Sequence, residues 1–137
     1  MYKKIIIVAV VFLVAIVGIS SISKAITARS QTAAARKVSD QFITYALTGK
    51  YNESYKLFSV QAQKDLPQTS WREKVAQLAL FFIGRKSSFL DASSSKDSKI
   101  IRYTIPGNDG TYTLTVTLVK TNGVWQVNIF DSKLNNG

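Results

Sequence analysis

Few side chains in this sequence are equipped for chemistry, and the absences narrow the field first. The 137 residues include no Cys and no His, which excludes disulfide scaffolds, thiol nucleophiles, acylation on Cys, Cys/His zinc sites and every His-based acid–base mechanism. No catalytic residue, metal site or cofactor is assigned. The pattern that does carry chemistry is one of hydrogen bonding. Arg102, Thr104, Thr113, Thr115, Thr117, Gln126 and Asn128 fall within three β-rich runs, and in strands paired as a meander they would lie together on one flat polar face. Such a face suits another protein or a second copy of this chain, and without a partner it is the wet side of a sheet.

A second set of residues is cationic. Eighteen Lys and Arg against eight acids leave a net charge of +10, a balance that attracts nucleic acid, anionic headgroups or wall polymers. No basic run exceeds two residues, as in Arg36-Lys37 and Arg85-Lys86. With no aromatic-flanked RNA motif and no basic recognition stripe, nucleic acid is not an expected partner. Lys24, Arg29, Arg36 and Lys37 are different, because they follow an apolar run directly and contact with lipid headgroups is natural there.

That run is residues 5–19, IIIVAVVFLVAIVGI, and no charge interrupts the chain before Lys24. As a helix, the uncharged residues 5–23 would measure about 28 Å, close to the roughly 30 Å hydrocarbon core of a bilayer. Lys3 and Lys4 form a short basic head, a feature common to cleavable leaders and uncleaved anchors. Ser23 and Ala25 could serve a cleavage site, but the length of the run and its continuation through residues 20–23 favour an anchor. The expected organisation is a head at residues 1–4, a transmembrane or signal-anchor helix at 5–23, a helical linker at 24–34 and one domain at 35–137. The flanking charges nearly balance and do not set orientation. A head this short needs no translocation, which places the domain outside the cytoplasm as a single-pass protein of the cell membrane, or secreted if the leader is cut near Ala25.

Past the linker, Val38, Phe42, Tyr45 and Ala46 recur at helical spacing until Gly49 stops the element. Asn52 is positioned to cap a second short helix, and Ser59 to begin a further piece that ends at Pro67. Ser70 and Glu73 have capping-box spacing, predicting a helix start there with Trp71, Val75, Leu78, Ala79 and Phe82 on its apolar stripe and Gly84 at its close. The composition then turns to strand. KIIRYTI at 99–105, TYTLTVTLV at 111–119 and VWQVNIF at 124–130 are β-branched, aromatic and of period two. Asn108-Asp109-Gly110 and Thr121-Asn122-Gly123 read as turns between them. A further strand is expected around 85–92, followed by a Ser-rich loop at 93–98. The fold class is therefore α+β: an N-terminal transmembrane helix, then about three helices packed on one face of a curved four-stranded antiparallel sheet.

Three stretches resemble a known family. FITYALTGKY at 42–51, YKLFS at 55–59 and GVWQV at 123–127 are similar to the first helix, the second helix and the last strand of nuclear-transport-factor-like (cystatin-like) domains, and the likeness spans about residues 35–134. The resemblance implies a cone-shaped α+β fold, seen in isomerases, dehydratases, transport adaptors and secretion-machine components, and so fixes no activity. Isomerase-like members use a carboxylate base with a Tyr or protonated acid as oxyanion donor. Asp40, Tyr45, Tyr55, Tyr103 and Tyr112 are the residues here of those types, with Asp40 more simply a charge near a helix start and the tyrosines ordinary core residues.

The expected function is accordingly a membrane-anchored extracytoplasmic binding or assembly module without catalytic activity, its partners the bilayer and another protein or itself. An alternative is a small-molecule-binding or isomerase-like enzyme using a cone pocket between Trp71, Phe82, Tyr103, Tyr112 and Trp125. A further alternative is a pilin-like filament subunit, since an apolar helix before a four-stranded sheet also describes a pilin. The pilin processing site is missing, however: no Gly-Phe opens the span and no Glu takes its fifth position.

Overall fold

The computed structural model describes residues 23–95 and 97–135, so the expected span at residues 5–23 lies, apart from Ser23, outside the described part. Among the described residues no helix is long and apolar enough to cross a membrane. Helix α1 runs Ser23–Leu47 without a Gly or Pro to interrupt it. Gly49, at φ +79, reverses the chain, and the Lys50 N–H reaches back to the Tyr45 carbonyl at 2.9 Å. This is the left-handed closure that a residue without Cβ adopts at least cost.

Three short helices follow, making four in the described chain where about three were expected: α2 (Tyr51–Tyr55), α3 (Val60–Asp65) and α4 (Gln68–Phe81). Two expected caps are not formed. Lys50, not Asn52, precedes α2, and the Asn52 carboxamide instead accepts a hydrogen bond from Gln68 Nε2 at 2.8 Å. Helix α4 starts before Ser70 because Pro67 already sets the chain direction, with the Trp71 N–H bonded to the Pro67 carbonyl. Proline at a helix start gives up nothing, its missing N–H being one that would lack a helical partner. Ser59 does cap α3, its Oγ accepting from the Ala62 N–H at 3.1 Å.

Strands β1 (Ser88–Ser95), β2 (Ser98–Gly107), β3 (Gly110–Thr121) and β4 (Val124–Leu134) pair in that order, all antiparallel. The Ser-rich stretch is not a loop, for Ser93, Ser94 and Ser95 pair with Ile100, Lys99 and Ser98. An edge strand pairs through its backbone and tolerates small polar side chains on both faces. Asn122 (φ 51) and Gly123 (φ 79) make the β3–β4 turn with both central residues left-handed, the form that matches strand twist. On the inner face Ile101, Ile105, Leu114, Val116, Leu118 and Val127 are fully buried beneath the helices. Phe42 of α1 stacks on Trp71 of α4 (5.4 Å between centroids), with Phe58 and Phe130 meeting both rings edge-on. Trp71 donates its indole N–H to the buried Ser54 Oγ at 2.8 Å, fixing α4 to α2.

Candidate functional site

The outer face of the sheet gathers most of the polar residues predicted for it. Arg102 stands opposite Thr115, and Thr115 opposite Asp131; Thr104 faces Thr113, and Thr113 faces Lys133; Thr117 lies between Ile100 and Ile129, and Gln126 opposite Val119. Asn128 departs from this face. The register shifts between Thr117 and Leu118, inserting an extra residue in β4, and the Asn128 Oδ1 accepts from Ser59 Oγ at 3.1 Å on the helical side. Ile129, 55% exposed, takes its place across from Thr117. A bulge needs no particular residue type, so nothing in the alternation announced it.

Asp91, Asp131 and Lys133 also belong to this surface and are not among the residues expected there, although Asp91 lies within the strand expected around 85–92. Arg102 binds both oxygens of Asp91, with Nε at 2.7 Å from Oδ1. The fork holds the Asp91 carboxyl below its ordinary range, mainly through the hydrogen bond, and raises the guanidinium in turn. Beside this pair lies a shallow groove of about 440 Å³ lined by Arg102, Thr113, Thr115, Asp131, Lys133 and Asn135. It offers donors, acceptors and both signs of charge, the chemistry of a polar contact surface.

The five residues expected to enclose a pocket do not converge. Trp71 is consumed in the aromatic cluster, and Phe82 packs on Tyr112 at 5.4 Å. Tyr103 points toward α1. Trp125 pairs with Lys120, at the other end of β3 from Tyr112. Two cavities lie instead between α4 and β4: one of about 260 Å³ walled by Leu78, Phe81, Phe82, Tyr112 and Ser132, and one of about 300 Å³ walled by Phe58, Ala62, Asp65, Trp71, Asn128 and Phe130. Lys74 borders both, its ammonium 5.7 Å from the Phe130 ring centre.

Of the candidate acid–base residues, Asp40 and Tyr103 meet. Tyr103 is 4% exposed and its hydroxyl lies 2.5 Å from Asp40 Oδ1 and 2.9 Å from the buried Ser39 Oγ. Burial, reinforced by the carboxylate, pushes the phenol far above its usual range. Arg36 lies over the Phe89 ring at 3.8 Å with Nε 3.7 Å from Asp40. Of the residues expected at lipid headgroups, Arg36 is therefore engaged within the domain and Lys37 is exposed, whereas the side chains of Lys24 and Arg29 lie outside the described ones. Among the described residues no group of three or more acids could hold a metal ion.

Four antiparallel strands with a long first helix and three shorter ones match several solved structures. A Campylobacter jejuni protein named as a candidate NTF2-like transpeptidase superposes with a TM-score of 0.56 at 17% identity, over 69% of this chain and 96% of that one. An NTF2-like protein of unknown function from Shewanella baltica gives 0.55 at 13% identity, over 77% and 96%. The fold is nuclear-transport-factor-like. At these identities the likeness to nuclear-transport-factor-like structures extends to the fold and no further. No protein-family model matches the chain, and no curated protein matches it significantly.

Proposed function

We propose that this nuclear-transport-factor-like domain is held to a membrane by the apolar run at residues 5–23, faces away from the cytoplasm, and acts by binding or assembly without catalysis. The observation that carries the reading is the state of the interior. Phe42, Phe58, Trp71 and Phe130 occupy the space under the helices, and Asp40, the acid at its edge, is committed to Tyr103 and Arg36. A general base must lie within reach of a bound substrate, and Asp40 lines neither of the cavities beside β4. On the outer face, by contrast, Arg102 is paired with Asp91 and Thr113 with Asn135, while Thr115, Thr117 and Lys133 make no side-chain hydrogen bond or ion pair among the described residues. The transpeptidase name stays with the Campylobacter protein, since at 17% identity the likeness is one of fold.

The cavity beside Asp65, Lys74 and Asn128 favours a second reading, small-molecule binding or isomerase-like chemistry. The pilin-like alternative fits less well, because α2–α4 intervene between the long helix and the sheet. Sedimentation of the full chain in detergent, with and without Thr115→Glu, tests the assembly reading. A dimer that the substitution dissociates supports sheet-to-sheet association. An unchanged profile counts against it. Flotation of the full chain with lipid vesicles, resistant to alkaline carbonate, tests the anchor.

A further inference from the structure

We infer that the open half of the β4 edge, from Phe130 to Leu134, together with the groove under α4, is a docking site for an extended, acidic and apolar segment of another protein. The inference deepens the binding-module reading and rests on it, but uses a different surface.

The direction of the β4 peptide groups follows from two hydrogen-bonding ends. At Val127 both groups point away from β3, its N–H bonding the Leu57 carbonyl at 2.7 Å and its carbonyl accepting from the Ser59 N–H at 2.8 Å. At Asn135 the N–H points toward β3, bonding the Thr111 carbonyl at 2.9 Å. Residues an even number apart would point the same way, and the extra residue at the register shift between them reverses the phase. Beyond the bulge, the peptide groups of Phe130, Ser132 and Leu134 therefore face the edge that, among the described residues, no strand occupies. Unpaired edges of this kind bind extended chain.

The molecule already uses this mode once. Residues Leu57 to Ser59 add to the same edge as a parallel bridge, Phe58 to Val127, and Phe58 buries its ring among Phe42 and Trp71. In the next section of edge no described residue pairs with β4 in this way. Its hollow of about 260 Å³, between Leu78, Phe81, Phe82 and Tyr112 with Ser132 and Gln77 also on its wall, is large enough for one Phe or Leu side chain. Lys74 lies on the same hollow, and among the described residues no carboxylate pairs with it. An incoming strand with an apolar residue and an acid two positions apart presents both on one face, toward hollow and ammonium together.

The probe is a fluorescent peptide, Thr-Thr-Glu-Thr-Phe-Thr-Thr, titrated by anisotropy against the full chain in detergent, with the Lys-for-Glu peptide beside it. The Glu peptide is expected to bind saturably and the Lys peptide at least about tenfold more weakly, the effect of one charge-assisted contact. Ser132→Pro removes an edge donor, and proline is tolerated where the N–H faces outward, so binding falls about tenfold while the unfolding midpoint holds. Lys74→Glu, on a partly exposed side chain, reverses the preference between the two peptides. Thr115→Glu leaves peptide binding unchanged, which separates this site from the outer face. No saturable binding, equal binding of the two peptides, or binding indifferent to both Ser132→Pro and Lys74→Glu overturns the inference, and each leaves the sedimentation result to judge the outer face.

Discussion

Replacing Tyr103 by Phe tests how the first helix is fastened to the sheet. The substitution keeps the buried ring and deletes a hydroxyl held between Asp40 Oδ1 and Ser39 Oγ. Asp40 is half exposed and water can take the vacated place, so that bond contributes near the lower end of the range for charged partners, about 1.5 kcal/mol. Ser39 is fully buried and loses a partner that water cannot replace, a cost of about 1 kcal/mol, moderated where its hydroxyl turns to a backbone carbonyl of its own helix. The sum is about 2 kcal/mol, or roughly 8 °C in the unfolding midpoint for a domain near a hundred residues. Tryptophan fluorescence of the full chain in detergent, followed through urea and thermal unfolding, reports it.

The same variant makes a pH prediction whose sign is fixed. The folded phenol is held protonated above its unfolded value. Stability from this group is therefore complete below about pH 10 and is lost as pH rises above it, the unfolded chain releasing a proton that the folded chain retains. Parent minus variant should show this alkaline loss, approaching about 1.4 kcal/mol per pH unit. A change below about 0.5 kcal/mol with parallel alkaline slopes would refute the claim that the hydroxyl ties α1 to β2.

Three further outcomes are expected. Trp71→Phe removes the indole donor from Ser54 and opens space beside Phe58 and Phe130, lowering stability by about 2–3 kcal/mol in urea titrations. Gly123→Ala places a Cβ at φ 79 and costs about 1 kcal/mol by the same measurement, with no change in the slope against denaturant. Arg102→Ala leaves the unfolding midpoint within error, because the pair with Asp91 is exposed, but raises the Asp91 titration toward the ordinary carboxylate range when followed by NMR.

The strands were legible because their side chains alternate and their turns demand left-handed residues: Tyr112, Leu114, Val116 and Leu118 against four Thr could be read as an inner and an outer face from spacing alone. The helical stripe through Trp71, Val75, Leu78 and Phe82 was equally clear, while its start was not, since Pro67 settled the matter before the Ser70 motif could. A shared face does not make two residues neighbours, and alternation does not reveal a slip within a strand. Trp125 and Tyr112 share a face yet sit at opposite ends of β3, and the inserted residue near Asn128 moves that side chain from the outer surface toward α3. The Asp40–Tyr103 contact joins residues far apart in sequence, so residue type named the partners and only the fold could introduce them.

The unbroken α1 also behaves as a shaft. Its 25 residues make a rod of about 37 Å, with no swivel between its first turn and the layer where Phe42 meets the sheet. Whatever grips the beginning of that rod sets both the stand-off and the compass bearing of the domain. Removing two residues between 26 and 34 would lower the domain by only about 3 Å but turn it through about 200°, so the surface that had faced a neighbour would look away from it.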